Sequence, residues 1–152
     1  MPHVAHYLAL LHTAQTGLAS AYRQVAEGHV AEVDVFHTCR LLARECDGHA
    51  EAVAPFADRY GEDAPEESDR LHSDIFRGPR TGGLGLLRDL QDLYLMAAEC
   101  DITRTLVGQA AQGLRYDELL GVVQRCEQET AVQLKWLRTR LKQAAPQALV
   151  VA

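Results

Sequence analysis

Apolar residues in this chain return every three or four positions over four long stretches, and most of the glycine and proline falls between those stretches. That spacing matches the turn of an α-helix, so each stretch carries an apolar stripe along one face. Ala, Leu, Gln, Glu and Arg dominate, all good helix formers, and alternating β-branched runs do not occur. The chain therefore reads as all-α, with helices at about 4–27, 30–59, 84–112 and 116–144. Pro55 lies within the second helix and either kinks it or ends it near Ala54, while Pro146 closes the fourth.

The connections decide how four such helices can pack. A Gly28-His29 corner joins the first two, and Gly113-Leu114-Arg115 joins the last two. Joints that short force antiparallel neighbours. Between the pairs lies a long link, Tyr60 to Gly83, containing Pro65, Gly78, Pro79, Gly82 and Gly83. Its stretch from Glu66 to Phe76 can form a short extra helix. A link of this length can run the ~35–40 Å of a bundle helix, so a crossover is expected. The whole chain, 1–152, is then one four-helix-bundle domain, large enough for a continuous core.

Charge and composition exclude several classes. A net charge of −6 argues against binding nucleic acid by neutralising phosphates. The cations Arg138, Arg140 and Lys142 sit where the dipole of the fourth helix favours them. No apolar run approaches the ~20 residues that a membrane helix needs. The first residues lack a basic segment followed by an apolar run, so no secretion signal is read. The four cysteines contain no CxxC pair and are expected as reduced thiols in a cytoplasmic protein.

Polar residues inside the apolar stripes are the informative ones. In the first helix Gln15 falls among Val4, Tyr7, Leu8, Leu11, Leu18, Tyr22 and Val25. The second buries Phe36, Cys39, Ala43, Cys46, Ala50 and Val53, with Glu45 and His49 on a flank beside Leu41, Leu42 and Phe56. Asp34-x-x-His37 has the spacing of a metal-binding pair, but the helical wheel turns His37 to solvent. The third buries Leu86, Leu90, Leu93, Ala97 and Cys100, and Asp101 and Arg104 share that stripe and can pair. Glu99 faces a second apolar set, Leu84, Leu95, Ile102 and Leu106. The fourth buries Leu119, Val123, Cys126, Thr130, Leu134, Leu137 and Leu141, with Glu127 at the edge, Glu129 further round, and Val132 and Trp136 on an outer flank.

Helix order, crossover and mid-helix polar residues together resemble the ferritin-like superfamily. That resemblance implies a Glu midway along the first and third helices and a Glu-x-x-His on the second and fourth, holding two iron or manganese ions. At the matching places this chain offers Gln15, then Glu45 and His49 at spacing four. The third helix offers Glu99 or Asp101, and the fourth Glu127 or Glu129 with no following His.

Two functional readings follow. In the first, the chain is a non-catalytic interaction or scaffold module without cofactor, and Gln15, Asp101, Arg104 and Glu127 form a buried polar network. Arg104 then supplies the positive charge that the resemblance assigns to metal. In the second, Glu45, His49, Glu99 and Glu127 bind iron, manganese or zinc and support redox or oxidase chemistry. A thiol redox sensor is a third idea, resting on Cys39 and Cys46 on one face and Cys100 and Cys126 in mid-core. No Gly-x-Ser-x-Gly element or phosphate loop is present, and the seven histidines share no face and read mostly as surface residues. The second apolar sides of the last two helices point to a symmetric homodimer.

Overall fold

The computed structural model describes residues 2–60 and 75–151. They form helices α1 (Pro2–Gly28), α2 (Val33–Tyr60), α3 (Gly82–Gly113) and α4 (Asp117–Pro146), and the chain continues from α4 into a π-helical turn, Gln147–Val151. The fold is an all-α four-helix bundle. Helix α2 runs unbroken through Pro55. The first corner is longer than its two-residue reading: His29 to Glu32 form a turn, closed by the Glu32 N–H donating to the His29 carbonyl at 3.0 Å, and α2 starts at Val33. At the second joint Arg115 takes φ 55°, which reverses the chain between α3 and α4. Ile75 and Phe76, the end of the expected extra helix, are not helical, and the rest of it lies outside the described residues.

Side-chain bonds fix the direction of each helix. Arg23 pairs with Asp47, so α1 and α2 are antiparallel neighbours. Gln15 meets Arg104 and His29 meets Asp89, which makes α1 and α3 antiparallel. Arg104 meets Thr130 and Tyr94 meets Arg138 across α3 and α4. Arg140 reaches Asp34 while Gln133 reaches Glu45 across α4 and α2. Helices α2 and α3 therefore run the same way and lie on the diagonal. Arg59 contacts Tyr116 at one end of the bundle and Arg80 contacts Asp89 at the other, so the chain changes ends between them.

Each helix buries a seam with the alternating three–four spacing of a left-handed bundle. On α2 the seam is Val35, Cys39, Leu42, Cys46, His49, Val53 and Phe56; on α3 it is Leu86, Leu90, Leu93, Ala97, Cys100, Arg104, Val107 and Ala111. In mid-bundle all four seams turn polar, at Gln15, His49, Arg104, and Thr130 with Gln133. That layer separates two apolar clusters. One surrounds Leu18, Tyr22, Leu90, Leu93 and Leu137, and the other surrounds Leu8, Leu11, Val53, Val107 and Leu119.

Candidate functional site: a polar layer across the core

Arg104 is the largest fully buried side chain, with 1% exposure. The apolar rhythm of α3 fixes its inward direction, because Cys100 and Val107 on either side of it are both buried. One terminal nitrogen donates to Thr130 Oγ1 at 2.7 Å and the other to Gln15 Oε1 at 2.5 Å. Thr130 Oγ1 in turn donates to the Cys126 carbonyl at 2.9 Å. Gln133, one turn along α4, accepts from Tyr22 Oη at 3.1 Å and donates to Glu45 Oε2 at 3.0 Å. The Cys46 thiol also donates to Gln133 Oε1, at 3.7 Å. Every helix contributes to this layer.

His49 enters the layer from α2, across the diagonal from α3. It is 4% exposed, and neither ring nitrogen has a hydrogen-bond partner among the described residues. Its Nε2 stands 3.7 Å from Glu129 Oε1, whose side chain is half exposed. Burial, and next the charge of Arg104, lower the His49 pKa to about 4, so the ring is neutral at pH 7. Glu45 moves the opposite way: burial raises its carboxyl, the Gln133 hydrogen bond opposes that rise, and Glu129 adds to it.

Of the residues singled out by sequence, Gln15 and Arg104 meet directly. Asp101 and Glu127 are half-buried, and among the described residues Arg104 has no hydrogen bond to either. Glu45 and His49 both reach the layer's edge, where Glu129 rather than Glu127 joins them. Glu99 lies elsewhere, beside a cavity of about 230 Å³ between α1 and α3 that is also lined by Ala14, Gly17, Phe76 and Met96. Gln133 did not stand out in the sequence, although it lies three residues after Thr130. The i, i+3 spacing does persist, in Cys46-Asp47-Gly48-His49 on α2 and Thr130-Ala131-Val132-Gln133 on α4. Both pairs are buried, so His49 shares its inward face with Cys46 more closely than with Glu45.

These donors do not fit a di-metal centre. Such a centre needs several carboxylates converging on hard cations. Here the inward positions carry an amide, a thiol, a guanidinium, a hydroxyl and a second amide, and only His49 is a ligand type that suits iron or manganese. No three His, Cys, Asp or Glu side chains among the described residues converge well enough to hold a metal ion. The thiols are equally ill placed for redox sensing: burial pushes Cys39, Cys46 and Cys100 up to about 12, leaving almost no thiolate at neutral pH.

A second polar cluster closes one end of the bundle. Asp89, fully buried, lies 2.7 Å from His29 Nε2 and accepts from the Arg80 backbone N–H at 2.9 Å and its guanidinium at 2.8 Å. The same Arg80 nitrogen reaches Asp92 at 2.9 Å. His29, one of seven histidines that read mostly as surface residues, is buried, because Arg80 arrives from the far side of the link and completes the cluster over it. Gly28 and Gly85 permit that approach. A Cβ on Gly28 would stand 2.6 Å from Pro79, and one on Gly85 would stand 2.9 Å from the Arg80 side chain.

No helix among the described residues is long and apolar enough to cross a membrane. Compared with models of protein families, with curated proteins and with solved structures, the chain matches none. Any functional reading therefore rests on the residues of the polar layer and on the outer faces of the helices.

Proposed function

We propose that this chain is a ferritin-like bundle without a di-metal centre, acting as a non-catalytic interaction module, with Arg104 organising the core where metal-dependent relatives hold ions. The ferritin-like part is supported by helix order: two antiparallel hairpins, the inner pair α2 and α3 parallel on the diagonal, and a change of ends between them. The observation that carries the metal-free part is Arg104 itself, a buried permanent cation in mid-core bonded to Gln15 and Thr130. At an effective dielectric near 20, a divalent ion about 5 Å from a guanidinium is repelled by roughly 7 kcal/mol. The test is to add iron(II), manganese(II) and zinc(II) to chelator-treated protein and follow its melting temperature. An unchanged melting point supports the reading, and a stoichiometric rise that His49→Ala removes overturns it.

The partner in this reading is a second copy of the chain, docked along the outer face of α3. That face carries Leu84, Leu95 and Ile102, each 46–57% exposed, within the series 84, 88, 91, 95, 98, 102. The alternating four–three spacing is that of an antiparallel helix pair. A two-fold axis midway between Gln91 and Leu95 maps the series onto itself. Leu84 then faces Ile102 of the partner subunit, and Gln91 faces the partner's Leu95. The paired stretch is ~27 Å long. Sedimentation at micromolar concentration should give a dimer that Ile102→Glu converts to a folded monomer; a wild-type monomer rules the pairing out.

A further inference from the structure

We propose that the core holds one small monovalent anion, of about the size of chloride, between Arg104 and His49. The first support is charge balance. Arg104 is buried, yet both of its hydrogen-bond partners, Gln15 and Thr130, are neutral, and no carboxylate oxygen lies within 4.0 Å of it among the described residues. A buried cation is ordinarily paired, because desolvation without a counter-charge is costly. The acidic groups at the layer's edge are committed or remote. Glu45 accepts from Gln133, while Glu129 is half exposed and its closest charged neighbour among the described residues is His49, not Arg104.

The second support is three buried polar atoms that find no hydrogen-bond partner among the described residues: Arg104 Nε, His49 Nδ1 and His49 Nε2. They belong to side chains on the two diagonal helices, at the height where Gln15 and Thr130 also point inward. A neutral imidazole donates one N–H and the guanidinium Nε donates another, and an anion accepts both. Size follows from surroundings. Arg104 and His49 are 1% and 4% exposed, so an ion that reaches both is enclosed and must be small. Entry runs between α2 and α4, the most lightly packed of the neighbouring helix pairs.

This inference rests on the metal-free reading of the core, and its tests keep the two apart. Melting temperatures are compared in sodium chloride and sodium gluconate at equal ionic strength. Ligand linkage predicts a rise in chloride of roughly 3–6 °C at ten times Kd, continuing with the logarithm of chloride concentration beyond that. The rise should vanish in both His49→Phe and Arg104→Met. Equal melting points in the two salts overturn the proposal, as does a difference that survives in both variants. Should a variant fail to fold, bromide-soaked wild-type crystals decide. An anomalous bromide peak within hydrogen-bond reach of Arg104 Nε supports the site, and no peak there overturns it. A peak at an iron, manganese or zinc edge in the same place overturns the anion and the metal-free core together.

Discussion

Replacing Arg104 by two different residues separates the packing of the layer from its charge. Arg104→Ala removes the guanidinium and its stem from a fully buried position. Large-to-small core changes cost about 2–5 kcal/mol, and the Gln15 Oε1 acceptor loses its donor besides. The expected total is about 4–5 kcal/mol, or roughly 10–20 °C in melting temperature for a domain of this size. Arg104→Met keeps most of the volume and removes a buried charge. Thr130 still donates to the Cys126 carbonyl, so Gln15 Oε1 is the main group left unpaired, at about 1–2 kcal/mol. Losing the desolvated charge offsets part of that. Urea denaturation in chloride-free buffer should therefore place Arg104→Met about 3 kcal/mol above Arg104→Ala. Equal damage from both would refute the reasoning, because it would mean that the charge is held by a counter-charge in the protein.

Two further outcomes follow from the buried histidines and carboxylates. His49 titrates at about 4 in the folded chain against 6.5 unfolded, so between those values the unfolded state binds more protons. Its contribution is complete above pH 6.5 and is lost as pH falls towards 4, on the order of 2–3 kcal/mol. The raised carboxyl of Glu45 opposes this by favouring the folded state on acidification. His49→Phe should accordingly lose less stability than wild type between pH 6.5 and 4 in urea titrations, and parallel curves would contradict this. Asp89→Ala leaves His29 and the Arg80 N–H without their acceptor, an expected loss of about 2–4 kcal/mol, whereas exposed Asp58→Ala should stay within about 0.5 kcal/mol.

Helix number, helix order and the need for a crossover are local properties, set by three–four spacing and by joints of a few residues, and they are legible in the chain. Gln15 and Arg104 were legible for the same reason: each interrupts an apolar stripe that is otherwise regular. The partners of Arg104 were not. A helical wheel gives direction but not height, so Asp101, three residues away on the same helix, looked like the natural partner. The bonds go instead to Thr130 and Gln15 on α4 and α1, at separations of 26 and 89 residues. Gln133 was hidden because polarity alone does not distinguish a buried amide from a solvated one. His29 was missed because its burial depends on Arg80, across the whole of α2 and the link. The persistence of i, i+3 pairs with altered chemistry, Cys46 with His49 and Thr130 with Gln133, was readable in principle, but only with attention to spacing rather than to ligand type.

The central claim is that a protein cation with its amide and hydroxyl partners, rather than a metal ion, organises the middle of the core. Elemental analysis of protein purified natively, without chelator, tests it most directly. The account predicts iron, manganese and zinc all far below one atom per chain. One or two atoms of any of them per chain, retained through gel filtration and lost in His49→Ala, would contradict it.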